Sequence, residues 1–289
     1  MENFTVRAAL QWAAPQIKQA GSESAQLDAE VLLCHTLRQE RAWLFAHPHT
    51  PLSPAQSATF RQQVNRRLNR EPVAYIVQQR AFFGLDFWVT PDVLIPRPET
   101  ELLVETALQL AGAQPGAPLT IADVGTGSGC IAVSLARHLP RAVVWAVDIS
   151  PGALAVAERN AKAHGVAGRI TFAGGDLLAP LPGPFDVIAS NPPYVAQADL
   201  TNPATMPEVR RFEPHLALDG GPSGLQVIER LLCQAAEKLR PTGSLLVEIG
   251  FNQGQAARAL AQRHFPKAAA QIKQDLAGLD RLLVVRQQG

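Results

Sequence analysis

The sequence predicts an α/β protein with three parts: a small all-helical N-terminal domain, a linking β-hairpin, and a mostly parallel, doubly wound sheet. Three observations predict it. Apolar residues recur at helical spacing over the first seventy residues. An aromatic and β-branched stretch follows, and after Pro98 strand-like segments alternate with helix-like ones. A chain of 289 residues is long enough for one or two domains of this kind.

Composition excludes several classes of protein. Hydrophobic residues make up 47% and charged residues 18% of the chain, which excludes a disordered or fibrous protein. The 26 basic and 25 acidic residues leave a net charge of +1, which argues against binding to nucleic acid through a broad basic field. No apolar run approaches the ~20 residues that span a bilayer, and the acidic N-terminal stretch fits neither a secretory signal nor a transit peptide. Three cysteines without a CxxC pair indicate reduced thiols, so we expect a cytoplasmic protein with no membrane or metal site.

The N-terminal domain, residues 1–72, is predicted to be helical. Ser53–Gln56 reads SPAQ, a capping box with proline at the first helical position, so a helix should begin there. Apolar residues at Phe60 and Val64 continue the pattern. The same helix carries a basic cluster, which is more often a solvated helix surface than a binding site. The cluster comprises Arg61, Arg66, Arg67 and Arg70.

Residues 73–97 are predicted to form the hairpin that links the two domains. Phe82–Val89 and Val93–Ile95 are rich in aromatic and β-branched residues, which favour strands. Thr90–Asp92 reads TPD and separates them, so we expect the turn there.

Residues 98–289 are predicted to form the sheet domain. Strands alternating with helices of this length indicate right-handed crossovers and a mostly parallel sheet. The link between the last two strands is too short for a crossover, so these two strands should pair as an antiparallel hairpin. The predicted strands are Leu119–Val124, Val143–Ile149, Ile170–Ala173, Phe185–Ser190, Ser244–Ile249, Ala270–Lys273 and Leu282–Arg286. The predicted helices are Glu99–Leu110, Ile131–His138, Pro151–His164, Leu225–Leu239 and Gln253–Phe265.

A glycine-rich loop follows the first predicted strand of the sheet. Asp123–Gly129 reads DVGTGSG, and the carboxyl end of a parallel strand is where ligands bind in such sheets. Glycines at alternate positions allow the backbone to approach a ligand closely and to take positive φ. Asp148 ends the next strand, where a carboxylate can accept hydrogen bonds from both hydroxyls of a ribose. Together these residues predict a cofactor that contains a nucleoside.

Two cofactors fit such a loop. A nicotinamide site wants GxGxxG, and Cys130 stands at the third glycine position, a small residue that the spacing does not exclude. Asp123 is more telling, because a carboxylate would repel a pyrophosphate but attract the positively charged sulfonium and amino groups of S-adenosylmethionine.

The motif Asn191–Tyr194, NPPY, follows the strand Phe185–Ser190. As a turn stiffened by proline it would be ordinary. Its position beside the glycine loop is, however, where a reacting group must lie. The Asn191 side-chain oxygen and the Pro192 carbonyl can each accept one N–H of a planar substrate amide, and the prolines fix that geometry. The ring of Tyr194 offers a face on which the amide can stack.

This combination resembles the amino-methylating class I S-adenosylmethionine-dependent methyltransferases, whose fold is a Rossmann-like seven-stranded sheet. Phe82–Phe87 (FFGLDF) and Ile95–Glu101 (IPRPETE) narrow the resemblance to the PrmC/HemK protein-(glutamine-N5) methyltransferases. Glu208–Arg210 and Val247–Gly250 are also similar to that family. Departures at Phe83, Gln78 and Ser223 affect only hairpin and loop detail.

The resemblance implies a function and a set of site residues. The family methylates the side-chain amide nitrogen of the glutamine in the GGQ loop of class I peptide chain release factors and yields S-adenosylhomocysteine. It implies that Asn191, Pro192, Pro193 and Tyr194 hold the substrate, with Asn191, Pro192 and Tyr194 as the catalytic residues. It also implies a set of cofactor contacts, to which Asp123 is added by its charge. Those residues are Asp123, Gly125, Thr126, Gly127, Ser128, Gly129, Asp148, Leu177 and Asn191. Asp176 is evenly balanced between accepting from the adenine amino group and capping a loop.

Alternative functions remain open from the sequence. A DNA adenine methyltransferase shares NPPY but needs phosphate contacts, which the chain offers only on the helix Arg61–Arg70. The paralogous ribosomal-protein glutamine methyltransferase tends to read PRSP where this chain has Pro96–Glu99, PRPE, which favours the release factor enzyme. A non-catalytic scaffold is disfavoured because every residue of the reactive pocket is present. We expect a monomer that recognises release factor through residues 1–72 and Val195–Gly224 and does not bind nucleic acid directly.

Overall fold

The computed structural model describes residues 4–112, 118–202 and 207–287. The chain divides into two compact units. The helical unit consists of Met1–Gln79 with Met206–Phe212, and the sheet unit consists of Arg80–Thr205 with Glu213–Gly289. The division after Gln79 lies inside the segment 73–97 that the sequence assigned to a linker. None of the described helices is long and apolar enough to cross a membrane.

The helical unit forms because its helices present apolar faces to one core. Helix α4 begins as predicted: the Ser53 hydroxyl accepts from the Gln56 N–H, and the Gln56 side chain accepts from the Ser53 N–H. Residues from five of the helices, among them Ile17, Leu33 and Phe60, are buried together. The helices are α1 (Val6–Gln19), α2 (Ala25–Leu37), α3 (Arg41–Ala46), α4 (Pro54–Leu68), α5 (Val73–Val77) and α10 (Pro207–Phe212).

The basic cluster on α4 is not a solvated surface, so that prediction is wrong. The side chain of Arg67 is only 8% exposed and donates to Asp28 at 2.7 Å and to Glu208 at 3.1 Å. Arg70 donates to the same Glu208. Burial of an arginine requires such carboxylate partners, because an unpaired charge would lose its hydration. The other two arginines also have partners: Arg66 pairs with Glu71, and Arg61 lies over the rings of Phe4 and Trp12.

The hairpin turns earlier than predicted. Its strands are β1 (Gln79–Phe82) and β2 (Leu85–Trp88), and the turn residues Phe83 and Gly84 both have positive φ, at 49° and 71°. Two such residues match the twist of a two-residue hairpin loop. The turn predicted at Thr90–Asp92 is present, since the Val93 N–H donates to the Thr90 carbonyl at 3.1 Å, but it is not the turn of the hairpin. The predicted strand at Val93–Ile95 is wrong, because that stretch is a loop without strand pairing.

The sheet of the second unit has seven strands in the order β5-β4-β3-β6-β7-β9-β8. The first five pair in parallel, and β9 is antiparallel to both of its neighbours, as predicted for the last two strands. The strands are β3 (Thr120–Val124), β4 (Val143–Asp148), β5 (Ile170–Gly174), β6 (Phe185–Ser190), β7 (Leu239–Glu248), β8 (Ala269–Gln274) and β9 (Asp280–Arg286). Their bounds agree with the prediction within two residues, except that β7 begins at Leu239 and not at Ser244.

Both faces of this sheet are covered by helices. Side chains alternate between the faces: Ile121 packs into one core, and its neighbour Ala122 packs into the other. Helices α6, α7 and part of α8 cover the first face together with the hairpin, and α11 and α12 cover the second. The helices are α6 (Glu101–Gly112), α7 (Cys130–His138), α8 (Pro151–Ala163), α9 (Gln197–Leu200), α11 (Gln226–Lys238) and α12 (Gly254–His264).

The order of the strands determines where a binding cleft lies. From the central strand β3 the chain passes first to β4 and β5 on one side, and later to β6 and β7 on the other. The two loops that follow β3 and β6 therefore diverge at the carboxyl edge of the sheet and leave a crevice between them. The glycine loop and the NPPY motif are these two loops.

Candidate active site

The cleft at the carboxyl edge of the sheet contains most of the residues that the sequence predicts to form the site. Four loops contribute, those that follow β3, β4, β5 and β6. Among the described residues, the predicted ones that line it are Gly125, Thr126, Gly127, Ser128, Asp148, Asp176, Leu177, Asn191 and Pro193. The predicted residues Asp123, Gly129, Pro192 and Tyr194 are not among the described residues that line the cleft.

The glycine loop leaves room for a ligand at two positions and for a helix at the third. Gly125 and Gly127 have φ of 70° and 54°, and a Cβ added at either would meet no heavy atom within 4 Å. A side chain there would project into the open cleft and would also be strained. Gly129 faces the protein instead, because an added Cβ would lie 3.1 Å from the backbone of Ala157 on α8. Gly129 therefore allows the loop to pack closely on α8, and its contact with a cofactor stays a prediction.

Asp123 lies beneath the loop. Its side chain is fully buried, and one oxygen, Oδ2, accepts from the Thr126 hydroxyl at 2.6 Å and from the Ala132 N–H at 3.0 Å. The other oxygen, Oδ1, has no hydrogen-bond partner among the described residues. Burial raises the pKa of Asp123 to about 7, although the two hydrogen bonds oppose the rise. Asp123 therefore fastens the loop to the first turn of α7, and its electrostatic attraction for a sulfonium stays a prediction.

Asp148 lies in the cleft wall, as predicted. Its two carboxylate oxygens accept from the Gly127 N–H and the Ser150 N–H, each at 2.9 Å. Because a carboxylate has about four acceptor sites, both oxygens keep capacity for the hydroxyls of a ribose. Burial raises the pKa of Asp148, while the hydrogen bonds from Ser150 and Gly127 lower it.

At the far end of the cleft, Asp176 has a charged partner that the sequence did not predict. Its carboxylate forms an ion pair with Arg230 of α11, and both side chains are about half exposed. This ion pair anchors the loop that follows β5 to α11, and an additional contact of Asp176 with the adenine amino group stays a prediction. The adjacent Leu177 lines the cleft with φ of 52°, and Ile149 adds a second exposed apolar side chain there. These apolar surfaces suit one face of a purine ring.

Asn191 and Tyr194 bond to residues that the sequence did not select. The Asn191 Nδ2 donates to the Thr100 hydroxyl at 3.0 Å. The Tyr194 hydroxyl donates to Glu248 at 3.2 Å, and its ring packs against the core beside α11. Tyr194 is not among the described residues that line the cleft, so the stacking of an amide on its ring stays a prediction. The Tyr194 carbonyl also accepts from the side chain of Gln253 at 2.9 Å, so the end of the motif is fixed at two points.

One further group of cleft residues was not among the predicted site residues. Residues 92–97, the stretch predicted as turn and strand, contribute Asp92, Val93, Leu94, Pro96 and Arg97 to the lining. The guanidinium of Arg97 donates to buried Glu213 at 2.6 Å, so this stretch is tied to the loop that follows α10. The signal in the sequence was the charged pattern IPRPETE, which is unusual for a strand.

The residues present fit S-adenosylmethionine. The open space over Gly125 and Gly127 admits a bulky group close to the backbone. The two arginines among the described lining residues, Arg97 and Arg230, each pair with a carboxylate. The acids Asp92, Asp148 and Asp219 therefore leave the cleft with a negative field that attracts a sulfonium and an ammonium group. The described residues contain no cluster of side chains that could hold a metal ion.

The raised pKa of Asp123 gives a testable prediction for stability. The variant Asp123→Asn keeps an acceptor for Thr126 and Ala132 but cannot ionise. Because the pKa of Asp123 rises from 3.8 to about 7 on folding, ionisation costs the native state stability as the pH rises through this range. We expect the stability of Asp123→Asn relative to the unchanged chain to increase by at least ~1 kcal/mol between about pH 4 and pH 7. Urea unfolding followed by circular dichroism measures it.

A control variant makes that measurement specific. Asp86→Asn changes an exposed carboxylate of the hairpin and is the matched control, because substitutions at exposed positions usually change stability little. A stability difference between Asp123→Asn and the unchanged chain that is equal at both ends of the pH range would contradict the prediction.

Comparison with known proteins agrees with this geometry. The family model described as the PrmC N-terminal domain matches residues 8–77, and that of the methyltransferase small domain matches residues 99–221. The chain is 46% identical over 279 residues to the release factor glutamine methyltransferase of Moorella thermoacetica, covering 96% of this chain and 97% of that protein. It is 45% identical over 263 residues to the enzyme of the same name from Geobacter sulfurreducens, covering 91% and 90%.

Solved structures share the fold. A methyltransferase from Pyrococcus furiosus superposes with a TM-score of 0.52 at 19% identity, over 78% of this chain and 98% of that one. A likeness at this level of identity shows the architecture alone. The similarity to the curated relatives goes further, because it extends over nearly the full length of both chains. This chain belongs to the release factor glutamine methyltransferase family.

Proposed function

We propose that this chain transfers a methyl group from S-adenosylmethionine to the side-chain amide nitrogen, N5, of the glutamine in the GGQ loop of class I peptide chain release factors. One observation carries the proposal: Asn191 and Pro193 line the same cleft as the glycine loop and Asp148. A substrate amide held by the NPPY motif would therefore face a cofactor held by the glycine loop and Asp148. The family relationship supports a release factor as the source of the amide.

The cofactor is held by the loops after β3, β4 and β5. When bound, S-adenosylmethionine supplies an electrophilic methyl group on a sulfonium. Asp148 orients the ribose hydroxyls, Gly125 and Gly127 leave space beside the backbone, and Leu177 packs on the purine. Asp123 acts through the glycine loop, because it fastens that loop to α7.

The substrate is held by the loop after β6. An amide nitrogen is a weak nucleophile because its lone pair is delocalised into the carbonyl. The Asn191 Oδ1 and the Pro192 carbonyl each accept one N–H of the substrate, and this directs the lone pair along the cleft toward the glycine loop. Positioning of this kind lowers barriers by up to ~7–11 kcal/mol in favourable cases, so no strong base is required. The nitrogen gives up one of its hydrogens to solvent as the methyl group is gained.

The remaining residues of the motif act as supports. Pro192 is buried, and with Pro193 it restricts the backbone so that the carbonyl has one direction. Tyr194 anchors the motif through its hydroxyl and its carbonyl. In this proposal Asn191 and the Pro192 carbonyl touch the substrate, and Tyr194 is a positioning residue.

Substitution of Asp148 tests the cofactor site. Asp148→Ala removes at least one hydrogen bond from a ribose hydroxyl to a charged acceptor. Such a bond contributes ~1.5–3 kcal/mol, so the Kd for S-adenosylmethionine should rise at least ~10-fold. Isothermal calorimetry measures the Kd, with the exposed Asp86→Ala as the matched control. If the Kd of Asp148→Ala stayed within about twofold of the unchanged chain, Asp148 would be a strand-end residue only.

The reaction itself is tested with radiolabelled S-adenosylmethionine and three separate acceptors: a class I release factor, ribosomal proteins and DNA. We expect label in the release factor at its GGQ glutamine. Asn191→Ala should lower the rate of transfer at least ~100-fold because one of two substrate acceptors is lost. Its affinity for the cofactor should change much less.

Each acceptor gives a distinct result. Label in ribosomal protein or DNA, but not in release factor, would contradict the proposed substrate. An unchanged single-turnover rate in Asn191→Ala would contradict the assignment of Asn191. DNA is also the acceptor that the arginines of α4 support least, since Arg67 and Arg70 pair with Glu208 and are not available to phosphates.

We further propose that recognition of release factor depends on the helical unit and the segment Val195–Gly224. The cleft recognises only a carboxamide group. Because every protein carries such groups, specificity for release factor requires contacts outside the cleft. Part of that segment, Met206–Phe212, belongs to the helical unit, and Glu208 fixes it there through Arg67 and Arg70. The rest of the segment closes on itself where Val195 and Asp219 form a bridge.

Substrate length tests this recognition proposal. Binding energy from remote contacts raises the rate at the reacting centre, and a short peptide forfeits it. A GGQ peptide should therefore have a kcat/KM at least ~100-fold below that of intact release factor, equal to ~2.7 kcal/mol of remote binding. Steady-state kinetics with both acceptors measures the ratio. Equal kcat/KM values would show that the cleft alone selects the substrate.

A further inference from the structure

One buried carboxyl holds both ends of the NPPY motif. Glu248 ends β7 and is 1% exposed. Its Oε2 accepts from the Thr100 hydroxyl at 2.6 Å, and its Oε1 accepts from the Tyr194 hydroxyl at 3.2 Å. Thr100 in turn accepts from the Asn191 Nδ2 at 3.0 Å. A continuous chain of hydrogen bonds therefore runs from Asn191 through Thr100 and Glu248 to Tyr194.

The protons in this chain have one consistent arrangement. A threonine hydroxyl has a single hydrogen to donate, and an ionised carboxylate can only accept. Beside an ionised Glu248, the hydrogen of Thr100 points at the carboxylate. The lone pairs of Thr100 then face Asn191 and require its NH2 group. The Asn191 Oδ1 is left as the atom that faces the substrate.

We propose that Thr100 and Glu248 are positioning residues that fix the Asn191 amide with its oxygen toward the cleft, so that the site accepts a substrate that donates N–H. The inference rests on the proposed function, which gives Asn191 its substrate. It assigns a role to the IPRPETE motif: the short turn Pro98–Thr100 brings the Thr100 hydroxyl between β6 and β7. It also explains why an acid follows the buried apolar run Leu245–Val247 at the end of β7.

The protonation state of Glu248 decides whether the chain holds. Burial raises the pKa of Glu248 to about 7; the hydrogen bonds from Thr100 and Tyr194 and the charge of Arg281 lower it, and Glu99 raises it. The thiol of Cys130 also faces Glu248, but burial raises the pKa of that thiol to about 12, so it stays neutral.

A protonated Glu248 changes the direction of the chain. With the proton on Oε2, the oxygen that lies 2.6 Å from Thr100, the O–H donates to Thr100, which then turns its own hydrogen toward Asn191. Asn191 would have to present an oxygen to Thr100 and its NH2 group to the substrate, where an acceptor is needed. Activity is therefore present with Glu248 ionised and is lost as the pH falls through about 7.

Thr100→Val tests the chain with little change of volume. We expect kcat for release factor to fall at least ~10-fold, while KM and the Kd for S-adenosylmethionine stay within about threefold. Thr100→Ser keeps a hydroxyl and should restore most of kcat. Thr106→Val is the matched control: Thr106 is equally buried, lies on α6 and bonds to Lys273, outside the chain to Asn191. A kcat of Thr100→Val equal to that of the unchanged chain would overturn the proposal.

The pH profile separates positioning from mere packing. The unchanged chain should lose kcat below about pH 7, which gives its pH profile an acid limb. Thr100→Val should lack this acid limb because Glu248 no longer sets the orientation of the Asn191 amide. Thr106→Val should keep it. An acid limb that persists unaltered in Thr100→Val would also overturn the proposal.

A spectroscopic readout does not depend on turnover. In protein labelled with ¹⁵N-asparagine, the side-chain NH2 signal of Asn191, identified by its absence in Asn191→Ala, should titrate near pH 7. The titration should disappear in Thr100→Val and in Glu248→Gln. An Asn191 signal that does not respond to pH would contradict the chain even if the enzyme proved to act on another substrate. Failure of release factor methylation with an intact titration would contradict the proposed function alone.

Discussion

The carboxyl group of Glu248 is the point on which the reactive edge of the sheet depends. It is held in place by β7, whose preceding residues Leu245, Leu246 and Val247 are fully buried on alternating faces of the sheet. A strand packed on both sides moves little, so its last side chain has a fixed position. Thr100 and Tyr194 take their hydroxyl positions from that carboxyl, and Asn191 takes its orientation from Thr100. Methyl transfer requires alignment at this scale, because small displacements of reacting groups cost large factors in rate.

This arrangement has a cost in stability. Glu248 and Asp123 are both fully buried, and burial raises the pKa of each to about 7. A raised carboxyl pKa means that the folded chain binds the proton more tightly than the unfolded chain does, so ionisation above about pH 4 destabilises the fold. The sheet unit tolerates these charges because the carboxylates accept hydrogen bonds from Thr126, Ala132, Thr100 and Tyr194. Asp123 rigidifies the cofactor loop and Glu248 rigidifies the substrate loop, so each loop is supported by one buried acid.

Local patterns in the sequence were sufficient for most of the fold. Apolar runs located the inner strands of the sheet, such as β3 and β6, because these strands are buried on both faces, and the capping box at Ser53 located the start of α4. The hairpin turn was misplaced because Thr90–Asp92 has typical turn composition, whereas the turn at Phe83 and Gly84 places a phenylalanine at positive φ. That choice depends on the pairing of β1 with β2, which local composition does not encode.

The site residues that lie in loops directly after predicted strands could be predicted from the sequence. Gly125, Gly127, Asp148 and Asn191 were found because their loops follow predicted strands at one edge of the sheet. Contacts between distant segments were not predictable: Thr100 and Glu248 are separated by 148 positions, and no spacing rule connects them.

Charge alone also did not reveal the packing partners of two buried side chains. Asp123 was assigned to the cofactor because of its negative charge, but in the structure it accepts from the Thr126 hydroxyl and the Ala132 N–H. Arg67 was assigned to solvent because its helix is basic, but Asp28 and Glu208 bury it. In both cases the partner that decides the environment comes from packing that the local sequence does not reveal.

A crystal structure of the enzyme with S-adenosylhomocysteine and a glutamine-containing GGQ fragment of release factor would be the most direct measurement. The glutamine amide nitrogen should lie within hydrogen-bond distance of both the Asn191 side chain and the Pro192 carbonyl. The other end of the Asn191 amide should remain on Thr100, and Thr100 should remain on Glu248. A glutamine amide bound away from Asn191, or an Asn191 that leaves Thr100 when the substrate binds, would contradict this mechanism.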